Sequence, residues 1–203
     1  MLVLIPDQWR TFFWFLAATG LRVSEAIALE WRHLELDGSS PQVKVRQAIV
    51  RGRKSAPKSK YGKREIPLDQ ELVSALREHR KGSEWPGGAD LVWPASNGSV
   101  MDPNNLRRRV LKPAAEEACV SWVGFHAFRH TCASMLFKEG RNAVQVQRWL
   151  GHHSAAFTLA TYVHLLDDDI GEALSLKSAN RVQTDPTPAD TTAAEPAEAT
   201  SAP

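Results

Sequence analysis

A strand pattern inside an otherwise helical chain is the feature that most restricts the fold. From Gln42 to Arg51 apolar side chains alternate with basic ones, with one slip near Gln47, and this alternation is typical of a half-buried β-strand. Residues 65–68 predict a second short strand, and the proline within it is tolerated at the edge of a sheet. We expect the two strands to pair as an antiparallel hairpin.

The segments on both sides of this hairpin have the spacing of amphipathic helices. Apolar residues recur three and four positions apart, and glycine, proline or capping residues separate the runs. Helices are predicted over 7–18, 21–31, 70–80 (capped by Asp69), 126–138 (ended by Gly140), 143–150 (capped by Asn142, ended by Gly151) and 155–166, with another that Asp102-Pro103 opens and Pro113 kinks or divides, and a last one from Asp167–Asp169 through Leu176. Thr19-Gly20 breaks the first helix, and the helix over 126–138 is predicted to place His126 and Arg129 on one face and to turn Phe128, Met135 and Leu136 toward a core. The sequence therefore predicts an α+β fold that is mainly α-helical, with a small antiparallel sheet.

Charge is distributed unevenly along the chain, although the net charge is only +2. Residues 38–64 contain nine Lys or Arg and no acid, so a polyanion would meet a strong local positive field at the hairpin. We expect the hairpin to contact nucleic-acid phosphates, and a solvated basic loop is the alternative that stays open. The residues predicted to bind DNA are Lys54, Lys58, Lys63 and Arg64.

The length and the C-terminal composition indicate one domain followed by a tail. A chain of 203 residues can bury one substantial core. After residue 178 the chain is Thr, Pro, Ala and acids, with little to bury, so we predict a domain over 1–178 and a disordered tail over 179–203. No signal-peptide pattern or membrane-length apolar run is present, and the two cysteines form no disulfide framework, so we expect a soluble cytoplasmic protein.

The stretch from His126 to Tyr162 combines donors suited to a phosphate with a candidate nucleophile. Arg129 offers a planar fork of N–H donors, and His126 and His152 can donate a hydrogen bond or move a proton near neutral pH. The hydroxyl of Tyr162 is a poor nucleophile by itself and needs such surroundings to react. This combination suggests phosphoryl transfer on a nucleic-acid backbone through a covalent phosphotyrosine.

Metal and nucleotide chemistry have little support in the sequence. His126 and His130 have the spacing of a zinc-binding helix, but the glutamate of that motif is absent and the cation Arg129 lies between them. Asp167–Asp169 could bind magnesium, yet three acids at a helix start are better explained by the helix dipole. Neither a P-loop nor a dinucleotide-binding glycine motif occurs, so no metal and no cofactor are expected.

Five motifs in this order resemble the catalytic domain of the tyrosine recombinase (phage integrase) family. They are T-G-L-R-V-S-E-A at 19–26, K-R-E-I-P-L at 63–68, H-A-F-R-H-T at 126–131, L-G-H at 150–152 and the segment around Tyr162, and the resemblance covers about residues 5–175. It implies a site-specific recombinase or integrase that cleaves and rejoins double-stranded DNA through a 3′-phosphotyrosine, without metal or ATP. It also implies a homotetramer on DNA, with a C-terminal segment docking on a neighbour, and accessory proteins.

The resemblance assigns a role to each matching residue. Arg22 and Arg129 correspond to the arginines that bind the scissile phosphate, and Glu25 corresponds to the acid that supports them. His126 and His152 correspond to the phosphate-binding histidines. Lys60 corresponds to the general acid, and Tyr162 to the nucleophile. Two assignments stay open. Lys58 is the rival of Lys60, and His153 is the rival of His152, because nine residues before the tyrosine is the commoner family spacing and His152 lies ten before it.

Two other functions stay open from the sequence, namely a type IB-like topoisomerase and a non-catalytic DNA-binding fragment. Family members usually carry a DNA-clamping domain before the catalytic one, whereas the matching motifs here begin close to Met1. We therefore expect a truncated form with weak, salt-dependent DNA affinity.

Overall fold

The computed structural model of the protein describes residues 1–56 and 60–162, and of Lys60 it describes the backbone alone. The predicted end of the domain at residue 178 and the predicted tail lie outside these residues. Three other predicted features also lie outside the described residues: Lys58, the helix predicted after residue 167 and the part of the preceding helix beyond Tyr162.

Helices make up most of the regular structure within the described residues, as the sequence predicts. The helices are α1 (Asp7–Thr19), α2 (Val23–Ala26), α3 (Gln70–Lys81), α4 (Pro103–Leu106), α5 (Lys112–Glu117), α6 (Phe125–Lys138), α7 (Ala143–Leu150) and α8 (Ala155–Tyr162). The strands are β1 (Leu34–Glu35), β2 (Gln42–Val45), β3 (Ala48–Val50), β4 (Arg53–Ser55) and β5 (Arg64–Pro67). The mainly helical α+β class is confirmed. In the described part of the chain, no helix has both the length and the apolar character needed to cross a membrane.

Two of the predicted helix caps form as expected. Oδ1 of Asp69 accepts a hydrogen bond from the backbone N–H of Leu72 at 2.9 Å and starts α3. The side chain of Asn142 accepts from the backbone N–H groups of Val144 and Gln145 and starts α7. These bonds satisfy N–H groups that have no partner inside the helix, which is why the local sequence predicts both starts well.

The predicted kink at Pro113 takes the form of a wider helical turn. A π-helical turn over Arg107–Leu111 joins α4 to α5, and the backbone N–H of Lys112 bonds the carbonyl of Arg107, five residues before it. Because Pro113 has no N–H, the ordinary four-residue hydrogen-bond ladder cannot continue through it. The helix therefore continues past the proline with one expanded turn.

The predicted helix over 21–31 is wrong in its length, because only α2 forms there. After α2 the backbone finds partners outside the helix: Leu29 accepts from the N–H of Val92, and Trp31 donates to Asp90. Trp31 then lies in a short 3₁₀ turn that ends at residue 33. Tertiary hydrogen bonds thus override a helical apolar pattern.

The predicted hairpin forms, but as two small sheets instead of one ribbon. β2 pairs with β5 in antiparallel register, Gln42 opposite Pro67, and β1 adds on the other side of β2. The chain then breaks at Gln47, whose side chain turns inward and donates to the carbonyl of Ala28 at 2.6 Å. β3 and β4 form their own two-stranded sheet, joined by an exposed turn at residues 51–52. The slip in the alternation marks this break.

Two apolar clusters fill the interior of the described part. The larger cluster includes α1, the β2–β5 sheet and α3, while a smaller one lies between α6, α7 and α8. Phe128 of α6 belongs to the first cluster, and Leu136 and Tyr162 belong to the second. Met135, predicted to face the core, is instead 52% exposed, so the buried face of α6 is rotated away from it.

Candidate active site

Two glycine turns bring distant parts of the chain together. Gly20 ends α1 with φ of 63° and Gly151 ends α7 with φ of 70°, a left-handed conformation that favours glycine. Space restricts both positions as well: a Cβ on Gly20 would lie 2.6 Å from the Leu150 side chain, and one on Gly151 would lie 2.7 Å from the Tyr61 carbonyl oxygen. The turns are therefore closely packed, and each leads directly into a predicted site residue.

Arg22 follows the first turn and is held by Glu25. The backbone N–H of Arg22 donates to one carboxylate oxygen of Glu25 at 3.0 Å, and Nη1 of Arg22 donates to the other at 3.1 Å. The Glu25 side chain is 5% exposed, whereas that of Arg22 is 41% exposed. Since a guanidinium carries five N–H donors, Arg22 can keep this anchor and still bind an anion from solvent.

Arg64, which the sequence predicts as an exposed DNA contact, is instead buried. Its side chain is buried, with Nη2 2.9 Å and Nη1 3.3 Å from the two carboxylate oxygens of Glu25. Its Nε donates to the backbone carbonyl of Trp149 at 2.7 Å, and Nη1 also donates to the carbonyl of Gly62. The prediction that Arg64 contacts DNA is therefore wrong for this conformation, because the guanidinium faces the interior and is engaged there.

The charge of Glu25 is maintained in spite of its burial. Burial by itself raises the pKa of this carboxyl, but the charge and hydrogen bonds of Arg64, followed by those of Arg22, outweigh it, so the pKa is lowered. Glu25 is thus an ionised buried carboxylate between one buried and one half-exposed guanidinium.

Arg129 is buried in α6 and bonds to both glycine turns. Nη1 donates to the carbonyl of Gly20 and Nη2 to the carbonyl of Leu150, each at 2.7 Å. Burial, followed by the nearby charges of Arg22 and Arg64, lowers the pKa of Arg129 to about 10. The group therefore remains charged at neutral pH, although removal from water has made that charge costly.

Two buried arginines thus join the same pair of chain segments. Arg129 connects the Gly20 turn to the carbonyl of Leu150, and Arg64 connects Glu25 to the carbonyl of Trp149. The last carbonyls of a helix have no partner within it, and here charged donors from two other elements satisfy those at the end of α7.

His152 follows the second turn and is also buried. Its Nδ1 lies 2.8 Å from Oγ1 of Thr158 in α8, and its ring meets Phe157 edge-on. Burial, followed by the charges of Arg129, Arg22 and Arg64, lowers the pKa of His152 to about 4. At neutral pH the ring is therefore neutral, and Nε2 is the nitrogen outside the Thr158 hydrogen bond. The rival His153 is exposed and packs against Phe157.

An open cleft of about 470 Å³ lies between these elements. Residues of the first turn and α2 form one wall, those of the second turn and α8 another, and β3 with the segment after β4 a third. The lining includes Arg22, Glu25, Val50, His152, His153 and Phe157. We refer to this space as the Arg22–His152 cleft. Arg129 does not line it but bonds the carbonyls of Gly20 and Leu150, at the two turns that border it.

His126 lies apart from this cleft, although the sequence predicts it on one helix face with Arg129. It is exposed, and it lines a second open cavity of about 620 Å³ together with His130, Trp122 and Lys138. The three-residue offset along α6 turns Arg129 into the interior while His126 faces solvent.

Tyr162 belongs to the smaller apolar cluster and is 3% exposed. Its hydroxyl oxygen lies 2.8 Å from Nδ1 of His130, and its ring contacts Phe137 at 5.8 Å between centroids. Burial raises the pKa of Tyr162, and the charge of Arg129 partly counteracts this increase. The predicted nucleophile is therefore a covered phenol close to one of the predicted phosphate-binding arginines.

The predicted lysines are in different situations. Lys63 is exposed beside β5, as a DNA contact requires. Lys54 is 42% exposed and pairs with the buried carboxylate of Glu30 at 2.5 Å. The side chain of Lys60 and the whole of Lys58 lie outside the described residues, so the assignment of the general acid stays a prediction.

Sequence reasoning missed three residues that support the site: Arg64 as a buried link, Thr158 as the partner of His152, and His130 as the partner of Tyr162. A signal existed for Arg64. It alternates with Ile66 along β5, and both point inward while Glu65 points out. The other two contacts depend on how α8 packs, which no local pattern contains.

Comparisons with known proteins agree with this architecture. The family model described as the phage integrase family matches residues 6–169. A tyrosine recombinase XerC-like protein of Caldanaerobacter subterraneus subsp. tengcongensis is 27% identical over 179 residues, 77% of this chain and 46% of the relative. Tyrosine recombinase XerC of Xanthomonas axonopodis pv. citri is 31% identical over 149 residues, 73% of this chain and 44% of the relative. The chain spans about half the length of the curated relatives it matches.

A solved structure shares the fold. The integrase of transposon Tn1549, in complex with circular intermediate DNA, superposes with a TM-score of 0.69 at 22% identity, covering 88% of this chain and 61% of that one. At this identity the likeness supports the fold alone, whereas the family model covers most of the sequence. The chain belongs to the phage integrase family.

Proposed function

We propose that this chain is the catalytic part of a site-specific DNA recombinase that cleaves and rejoins strands through a 3′-phosphotyrosine. The observation that carries the proposal is the Arg22–His152 cleft, where Arg22 and His152 come together from distant segments and Arg129 bonds the two turns that hold them. The family relationship points the same way, since the matched relatives are described as tyrosine recombinases.

Phosphate binding follows from the charges of the cleft. Attack on a phosphodiester concentrates negative charge on its non-bridging oxygens, and fixed cationic donors stabilise that charge without having to reorganise. Arg22 supplies the exposed guanidinium and Arg129 supplies buried positive charge, whereas the neutral ring of His152 adds Nε2, the nitrogen that is not bonded to Thr158, as a polar contact. Two further groups are proposed to contribute, His126 from the second cavity and Lys60 as the proton donor, with Lys58 as its rival.

Strand cleavage then requires Tyr162. Its Oη attacks phosphorus, the bond to the 5′ oxygen breaks, and the departing oxygen takes a proton from the general acid. The phosphotyrosine ester retains the energy of the broken bond, so a second 5′ hydroxyl can rejoin the strand without ATP. Because Tyr162 is covered in this structure, DNA has to displace neighbouring groups before the phosphorus reaches Oη.

Duplex DNA is the proposed partner, bound by the basic sheet beside the cleft. The β3–β4 turn is exposed and carries Arg51 and Arg53 at its tip, and Lys63 is exposed on the adjoining segment. The family relationship further suggests that four copies act together on paired sites, with accessory proteins in some settings.

The experiment that tests the function is covalent trapping. The full chain is incubated with a pool of duplexes of randomised sequence. Each duplex carries one nick, and the pool as a whole places a nick near every position. After cleavage the short 5′ fragment diffuses away, so the strand cannot be rejoined and the adduct accumulates. We expect a detergent-stable protein–DNA adduct whose tryptic peptide carries a nucleotide on Tyr162, detected by mass spectrometry. Tyr162→Phe removes the nucleophilic oxygen and should give no adduct.

The same assay has two outcomes that would contradict the proposed function or its nucleophile. Duplex binding by the wild-type chain with no adduct at any salt concentration would indicate a non-catalytic DNA-binding module. An adduct that survives in Tyr162→Phe would show that another residue is the nucleophile.

A further inference from the structure

His130 is a functional group that the proposed reaction has not used. It follows Arg129 in α6, it is exposed, and it lines the second cavity with His126, Trp122 and Lys138. The i,i+4 histidine pair does not match a zinc helix, so the sequence leaves His130 without a role. Its closest polar contact in the described part of the chain is with the hydroxyl of the predicted nucleophile.

The contact is well formed for proton transfer. Oη of Tyr162 and Nδ1 of His130 are 2.8 Å apart, a normal distance for a hydrogen bond from a hydroxyl to a ring nitrogen. The two rings approach to 5.6 Å between centroids at 58°, and Phe137 supports the far side of the phenol. Packing thus holds the phenol oxygen close to Nδ1, which accepts the phenol's hydrogen bond when it carries no proton itself.

The protonation states also suit a transfer from phenol to imidazole. Burial, followed by the charges of His126 and Arg129, lowers the pKa of His130, and burial raises the pKa of Tyr162. The titratable groups around His130 are His126, Arg129 and Lys138 on its own helix and Tyr162 on α8, so its charged form gains no carboxylate from these neighbours. At neutral pH a neutral imidazole therefore faces a protonated phenol.

We propose that His130 is the catalytic base of the strand-cleavage step: it holds Tyr162 Oη through Nδ1 and accepts its proton as the bond to phosphorus forms. The O–H bond of Tyr162 breaks, its proton becomes the Nδ1–H of an imidazolium, and the Oη–P bond forms. The P–O5′ bond breaks at the same time, and that oxygen is protonated by the general acid. On rejoining, the imidazolium returns the proton to the departing phenolate. This inference rests on the proposed function.

The hydrogen bond can be tested without DNA. The chain contains two tyrosines, so ¹³Cζ-tyrosine labelling gives two resonances, and Tyr61→Phe identifies that of Tyr162. We expect this resonance to shift as His130 titrates below its ordinary pH range, and the shift to vanish in His130→Gln. Long-range ¹⁵N–¹H spectra should show Nδ1 of His130 without a proton at neutral pH. A Tyr162 resonance that ignores His130, or a protonated Nδ1, overturns the proposal.

The catalytic role is tested with the trapping assay. His130→Gln keeps the size of the side chain but cannot take up a proton, so we expect adduct formation at pH 7 to slow by about 100-fold. Its rate should then rise about tenfold per pH unit toward alkaline pH, because only ionised phenol reacts, and added imidazole should restore part of it. The wild-type rate should instead level off above the pKa of His130. A role limited to packing would not change the shape of this profile.

Thr131→Ala is the matched control, since Thr131 is the exposed neighbour whose hydroxyl bonds within the helix to Ala127. It should keep the wild-type rate and profile. A wild-type chain without adduct means that the proposed function has failed. A Tyr162-dependent adduct that forms equally fast in His130→Gln means that only the role of His130 has failed.

Discussion

The Arg22–His152 cleft and the surroundings of Tyr162 are built in contrasting ways. At the turns that border the cleft, Arg64 and Arg129 make charge-assisted hydrogen bonds that join the two glycine turns and α2. Tyr162 lies in the smaller apolar cluster, and its described polar contact is with the exposed His130. Charge-assisted hydrogen bonds between buried groups fix positions more strongly than one partly buried hydrogen bond between neutral groups does.

This difference suits a reaction in which one part must stay fixed and another must be released. A phosphate site works by preorganised charge, so its donors must already be in place when DNA arrives. The proposed nucleophile is protected from unproductive reaction while it is covered, and its apolar cover must open at small cost while the bond to His130 is kept. Charge-assisted hydrogen bonds anchor the proposed phosphate site, whereas apolar packing and one hydrogen bond hold the proposed nucleophile.

The largest expected effect is from Arg64→Met. Removing this guanidinium leaves the buried carboxylate of Glu25 without its main partner and the Trp149 carbonyl without a donor. We expect the free energy of unfolding, measured by urea titration, to fall by about 3–5 kcal/mol. Lys63→Met, at the exposed neighbouring position, should change it by less than about 0.5 kcal/mol. Adding Glu25→Gln to Arg64→Met should recover part of the loss, and a Glu25-independent loss would show that the carboxylate is not the reason.

An intermediate effect is expected from acid. The pKa of His152 is about 4 in the folded chain and 6.5 without perturbation, so between these values the unfolded chain binds more protons. Its contribution to stability is therefore present above pH 6.5 and is lost as the pH falls toward 4. We expect this residue to account for about 2 kcal/mol of the decrease in unfolding free energy between pH 7 and 4.5.

The measurement is a pair of urea titrations at the two pH values. His152→Gln should decrease less between them than the wild type, whereas His153→Gln should match the wild type. Because His33 and His79 also have a lowered pKa through burial, the comparison with His152→Gln is what isolates the residue. Equal decreases in His152→Gln and wild type would contradict the buried neutral ring.

The smallest effect is expected from Tyr162→Phe. The change removes the hydroxyl that bonds His130 but keeps the ring against Phe137, so unfolding free energy should fall by only about 1 kcal/mol. The urea midpoint and slope measure it. A loss above about 3 kcal/mol would mean that the nucleophile is anchored as firmly as the cleft, and the contrast between the two regions would disappear.

Local sequence patterns predicted many of the helices, strands and caps. They failed where contacts between residues far apart in the chain determine where a helix ends or which of its faces is buried. The caps at Asp69 and Asn142 and the break at Gln47 follow from residues near each other in sequence. The helix predicted to run to residue 31 stopped early because Leu29 and Trp31 bond the segment around residue 91. The placement of Met135 was wrong for a similar reason, since neighbouring elements determine which face of α6 is covered.

The sequence by itself determined the family, the fold class, the two glycine turns and the residue types that could bind a phosphate, because these depend on motifs and local backbone preferences. Only the tertiary structure decided that Arg64 faces inward toward Glu25, that Arg129 bonds both turns, and that Tyr162 meets His130. Buried ion pairs and contacts between helices depend on how elements far apart in the chain pack. The alternation of Arg64 with Ile66 along β5 indicates which way its side chain faces, but only the packing of distant elements shows that it anchors the carboxylate of Glu25.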